Sequence, residues 1–172
     1  GTLANGIWYT TNGGDQWQPT SLRSGAYECL SFDNLNPDII YTAAGQIVMK
    51  SIDAGQTWKT VYTESQPGQL VNCVIANPND GREVWATTAG GKVLMSTDYG
   101  QRWTLQGTLP AGQPRRLYIT PDNVFYAFTK TNGIFRSDNR GQTWIDENEA
   151  LKPFTGATDI RACRSPKNVL RP

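Results

Sequence analysis

The 172-residue chain contains no histidine. That absence removes the serine–histidine and cysteine–histidine arrangements for nucleophilic catalysis, together with the commonest metal ligand. Cysteine is scarce. Cys29, Cys73 and Cys163 stand far apart with no C-x-x-C pair, so they make neither a disulfide framework nor a zinc site. They read as small buried apolar residues. No apolar run approaches the ~20 residues that span a bilayer. Charge of either sign is not in excess: 16 Lys and Arg against 15 Asp and Glu leave a net +1, which gives no pull toward nucleic acid or an anionic membrane. No cofactor and no metal are expected.

What the chain has is glycine (17), proline (10), tryptophan (6) and tyrosine (7), a mixture that suits an all-β protein full of turns. An internal repeat organises it. Residues 10–17, 51–58, 96–103 and 137–144 share the pattern [ST]-x-[DN]-x-G-x-x-W, and their tryptophans are 41, 45 and 41 residues apart.

Each position of this box has a physical reason. The Asp or Asn (Asn12, Asp53, Asp98, Asn139) can accept backbone N–H groups just downstream and hold a tight turn. The glycine (Gly14, Gly55, Gly100, Gly141) supplies a positive φ at low cost. The Ser or Thr ends the incoming strand and can bond to the same turn. The tryptophan (Trp17, Trp58, Trp103, Trp144) opens the outgoing strand and is large enough to wedge between neighbouring sheets.

Between the boxes, alternating segments predict four short strands per repeat. They are 27–32, 39–43, 47–51 and 57–62 in the second repeat, then 71–76, 83–88, 92–96 and 102–106, then 116–120, 124–129, 133–137 and 143–146. Segments 7–11 and 16–18 read as the last two strands of a repeat, and 159–164 with 166–170 as the first strand and the start of the second. Four antiparallel strands per ~42 residues is the unit of a β-propeller blade. The expected architecture over 1–172 is therefore a single β-propeller domain, either a closed four-blade ring or part of a larger propeller. The opening residues read as the middle of a repeat, so further sequence is expected upstream.

The four boxes resemble the Asp-box (BNR) repeat of sialidases, xyloglucan-active hydrolases, sortilin-type receptors and photosystem assembly factors. The resemblance covers the whole chain. It implies a propeller, favours the larger ring because these families mostly use one, and implies an extracytoplasmic location. A protein or glycan partner follows from it, as do other blades or subunits that complete the ring. No nucleic acid and no membrane span are expected.

Catalytic candidates are few. A glycosidase needs two carboxylates facing each other across a sugar. Glu28 is the most interesting of the acids, expected in an inner strand where a side chain can reach the central channel, and it is a weak candidate with no identified partner. Ala89–Lys92 looks briefly like a phosphate loop but lacks its first glycine and precedes a strand, so it reads as a hairpin turn. The box carboxylates lack EF-hand spacing and read as turn holders. Arg115 and Arg116, with other arginines, thicken the last third with positive charge, and Trp8 beside Tyr9 is a possible stacking platform. Trp8 and Trp85 both read as packing between sheets. Two functions stay open: a non-catalytic binding or scaffold propeller that grips a protein or glycan through rim loops and channel mouth, or a portion of a glycoside hydrolase with acidic catalytic residues.

Overall fold

The computed structural model describes residues 5–148. Among them there are fourteen strands in four antiparallel sheets. The first sheet pairs β1 (Trp8–Tyr9) with β2 (Gln18–Pro19). The second is a meander of β3 (Cys29–Phe32), β4 (Ile40–Ala44), β5 (Ile47–Ser51) and β6 (Lys59–Thr63). The third runs β7 (Val71–Asn77), β8 (Asp80–Thr88), β9 (Lys92–Ser96) and β10 (Thr104–Thr108). The fourth runs β11 (Pro114–Ile119), β12 (Phe125–Thr129), β13 (Ile134–Ser137) and β14 (Ile145–Asp146). These are propeller blades, and they are not closed into a ring. The strands expected over 159–164 and 166–170 lie outside the described residues.

The blades are held by two cores, one in each seam between full sheets. Tyr41, Val48, Val74, Val84 and Leu94 fill the seam between the second and third sheets. Trp85, Val93, Leu117, Ile119, Phe125 and Phe135 fill the next. Trp85 is fully buried and meets Phe125 edge-on with ring centroids 4.7 Å apart, so it packs between blades as its sequence position predicts. Trp8 does not. It is 41% exposed, because the first sheet has only two strands and no inner strand stands against it among the described residues. Residues 89–91 connect β8 to β9 as the expected hairpin.

The boxes form four turns with one hydrogen-bond scheme. The Ser or Thr oxygen accepts the glycine N–H, at 3.0 Å for Thr10 and Gly14 and 2.8 Å for Ser51–Gly55, Ser96–Gly100 and Ser137–Gly141. The same hydroxyl donates to the Asp or Asn two residues on. That acid or amide oxygen accepts the N–H of the residue before the tryptophan: Gln16, Thr57, Arg102 and Thr143 at 2.8–3.0 Å. Two left-handed residues in succession make the bend. The residue before the glycine is also left-handed, whether Gly13 (φ 73°), Ala54 (55°), Tyr99 (59°) or Arg140 (57°). The glycine pattern alone does not reveal that second position, since an x in the motif hides it.

Trp58, Trp103 and Trp144 each donate their indole N–H to the box glycine carbonyl at 2.9–3.1 Å. Trp103 and Trp144 also pack against the two cores, as wedges should. Trp17 departs from the expectation and is 57% exposed.

Candidate functional site

The sheet registers identify equivalent positions in successive blades. Ile40, Val84 and Phe125 pair with the box serines Ser51, Ser96 and Ser137. Three residues further on, Ala43, Thr87 and Phe128 pair with Cys29, Cys73 and Arg116 on the inner strands β3, β7 and β11. The residues just before these are Glu28, Asn72 and Arg115. They form a row at the beginnings of three consecutive inner strands, an alignment that the motif spacing does not show because the loops between boxes differ in length.

Glu28 falls one residue short of the strand expected to carry it. β3 begins at Cys29, although the Glu28 N–H still donates to the Ala43 carbonyl at 3.0 Å. Its side chain is exposed. In the third sheet a register shift between Val71 and Cys73 sets Asn72 apart, and its amide donates to the Pro114 carbonyl at 2.9 Å. The fourth sheet repeats the shift between Pro114 and Arg116. A strand should alternate its faces, but this irregularity leaves both Arg115 and Arg116 exposed side by side. The row thus runs from a carboxylate through an amide to two guanidiniums. It contributes one acid, since Asn72 and Arg115 occupy the places where a second would be equivalent.

Trp8 and Tyr9 lie in β1, a different sheet from the arginines, with the second and third sheets between them in chain order. The Trp8 indole donates to the Asn5 carbonyl at 2.8 Å and the Tyr9 hydroxyl to Gln18 Oε1 at 2.9 Å. These two rings and the arginine pair are therefore separate surfaces.

Sequence reasoning missed the buried polar contacts of the seams. Glu64 is 2% exposed and receives Lys92 Nζ at 3.0 and 3.2 Å, the Tyr62 hydroxyl at 3.1 Å and the Gln66 N–H at 3.0 Å. Burial pushes its carboxyl up, but these donors outweigh that and hold it below the usual range. Arg140, from the fourth box, pairs with Glu83 and lies 5.8 Å from the Trp85 ring centroid. The third box does the same to the second sheet: the Tyr99 carbonyl accepts Tyr41 Oη at 3.1 Å and Lys50 Nζ at 3.0 Å. In the third and fourth boxes the residue ahead of the glycine is thus a latch on the preceding blade. Among the described residues no group of three or more Cys, Asp or Glu is placed to hold a metal ion.

No family model matches the chain. It is 24% identical over 176 residues to an oligoxyloglucan-reducing end-specific xyloglucanase of Emericella nidulans, covering 93% of this chain and 22% of the relative. It is 25% identical over 177 residues to a xyloglucanase of Paenibacillus sp., covering 77% of this chain and 17% of that protein. Among solved structures, YCF48 bound to D1 peptide superposes with a TM-score of 0.63 at 18% identity, over 82% of this chain and 47% of the other. The GH74 enzyme of Niastella koreensis gives 0.64 at 18%, over 82% of this chain and 21% of the other. Fold and sequence agree: the chain is an arc of β-propeller blades, similar to xyloglucanases over about a fifth of their length.

Proposed function

We propose that residues 1–172 belong to one propeller domain whose role is binding rather than bond cleavage, and that its ligand is a glycan of the xyloglucan type. The observation that carries this reading is the inner-strand row. Glu28, Arg115 and Arg116 offer exposed hydrogen-bonding groups at the two ends of the row, and the half-buried Asn72 between them is bonded to the Pro114 carbonyl, with a single carboxylate in the row. Donors and acceptors at blade-to-blade spacing suit successive hydroxyl groups of an oligosaccharide, whereas hydrolysis needs a second acid across the scissile bond. Support for the ligand class comes from the relatives, which are xyloglucanases. An extracytoplasmic location belongs to the same proposal.

A second reading is favoured by the similarity over 93% of the chain to a xyloglucanase: the arc is one portion of a glycoside hydrolase, with Glu28 as one of its acids. One experiment separates them. Electrophoresis through a xyloglucan-containing gel is expected to retard the protein, and the Arg115→Ala/Arg116→Ala variant to run freely. Reducing-end release from xyloglucan that disappears in Glu28→Gln would replace the binding reading with the hydrolase. Unretarded migration with no heat of binding to xyloglucan oligosaccharides would defeat the glycan assignment.

A further inference from the structure

The inner strands of neighbouring blades meet without a shared backbone ladder, so their inward N–H groups need other acceptors. Two sulfurs and a hydroxyl supply them. Cys29 Sγ accepts the Val74 N–H at 3.0 Å and lies 3.8 Å from the Val74 carbonyl. Ser31 Oγ accepts the Ala76 N–H at 2.9 Å. Cys73 Sγ accepts the Leu117 N–H at 3.4 Å. Cys29 and Cys73 therefore occupy the same place in consecutive blades, each reaching across the following seam, and Arg116 stands there in the fourth sheet.

That placement brings the two thiols together. Val74 follows Cys73 directly, and its nitrogen is about 2.4 Å from the Cys73 Cα by covalent geometry. Cys29 Sγ, bonded to that nitrogen, thus lies within roughly 5.4 Å of the Cys73 Cα. Bonding requires the Cys73 side chain to rotate away from Leu117 toward Cys29. The expectation of small buried residues holds for Cys73, which is 5% exposed, whereas Cys29 is half-buried.

We propose that Cys29 and Cys73 are a reversible dithiol–disulfide pair that staples the second blade to the third when the protein meets a peroxide. Hydrogen peroxide transfers one oxygen to the Cys29 sulfur, giving a sulfenic acid and water. The Cys73 sulfur then attacks the Cys29 sulfur, its proton leaves with the hydroxyl as a second water, and an S–S bond forms. Two sulfurs lose two electrons and the peroxide gains two. Cys73 suits the attacking role. The neighbouring Cys29 thiol, the Leu117 amide and the Arg116 charge together outweigh burial, so its thiol is held below the usual range. The bond exchanges two sulfur-capped amides for a covalent link, and a thiol reductant restores them.

The test uses the full chain, reduced and freed of reductant, then exposed to hydrogen peroxide. A mass loss of about 2 Da is expected, with the Cys29 and Cys73 peptides joined in a non-reducing digest and separated again by dithiothreitol. The Cys163→Ser chain should give the same link. In Cys73→Ser the link is lost and the Cys29 sulfenic acid is instead trapped by dimedone, a readout available even if that variant is less stable. Linkage of Cys29 or Cys73 to Cys163, or two thiols still alkylated in full after peroxide treatment, would overturn the proposal.

Discussion

The first box and the third are built from the same pattern and the same hydrogen bonds, yet they sit in opposite surroundings. In the third, Gly100 is buried and the indole of Trp103 both closes on the Gly100 carbonyl and packs against Tyr62, with ring centroids 5.6 Å apart. In the first, the Thr10–Gly14 and Asn12–Gln16 bonds are present, while Trp17 stands 57% exposed and Gly13 has nothing within 4 Å of where a Cβ would be. Eight residues suffice to form the turn. Whether the turn then holds blades together depends on a full preceding sheet to lie against, which the third box has and the first, among the described residues, lacks.

The sharpest way to break this comparison is to remove each tryptophan. Trp103→Ala takes a wedge out of the seam that contains Tyr41, Val74 and Leu94. By analogy with large-to-small core changes it is expected to cost about 2–4 kcal/mol. Trp17→Ala exposes little new apolar surface and should cost under about 1 kcal/mol. Chemical denaturation of the two variants measures both. Similar losses in the two would mean that the box, and not the seam, sets the contribution of its tryptophan.

A smaller effect tests the hydroxyl. Ser96→Ala leaves the buried Gly100 N–H without its acceptor, a loss of about 1–3 kcal/mol for an unsatisfied buried donor. At Thr10→Ala the partner Gly14 N–H is partly open to water, so about 1 kcal/mol or less is expected. Thermal unfolding of the pair reads the difference. Equal shifts in midpoint would show that water does not replace the acceptor in the first box.

These contrasts also mark how far the sequence could be read. The box bonds were legible residue by residue, because a turn is decided by neighbours in the chain. Strands β5 and β9 fall where the alternating pattern puts them. What stayed hidden depends on residues 28 to 45 positions apart. The sulfur of Cys29 meeting Val74 and the salt bridge of Lys92 to Glu64 arise from how one blade lies on the next. The row of Glu28, Asn72 and Arg115 is of the same kind. Loops of unequal length shift it relative to the boxes, and it becomes visible only when the strand registers are known. A motif that explains every turn therefore leaves open which side chains share a surface.

The least drastic change exploits a difference in the boxes' chemistry: the second and third carry Asp, the first and fourth Asn. The Asp53 carboxylate accepts the Thr57 hydroxyl at 2.5 Å, the Thr57 N–H at 2.8 Å and the Ser51 hydroxyl at 2.7 Å. Led by the Thr57 hydroxyl, these donors hold its acid strength at about 2, below the usual carboxylate range. The Asp98 carboxyl is lowered as well, chiefly by the Arg102 amide. For a group depressed on folding, the stabilisation is fully present above the unfolded value of about 4 and is lost as pH falls through the folded one. Asn139 shows that an amide keeps the geometry: its oxygen accepts the Thr143 N–H at 2.9 Å, and its NH2 donates to the Thr143 hydroxyl at 2.7 Å. Asp53→Asn should therefore preserve the turn at neutral pH and remove one acid-sensitive contribution. Unfolding midpoints of wild type and variant, followed from pH 6 to pH 2, are expected to converge or cross between about pH 4 and pH 2. Two curves that stay parallel through that window would show that the charge on Asp53 contributes nothing a neutral acceptor does not, and the Asp and Asn boxes would then be equivalent.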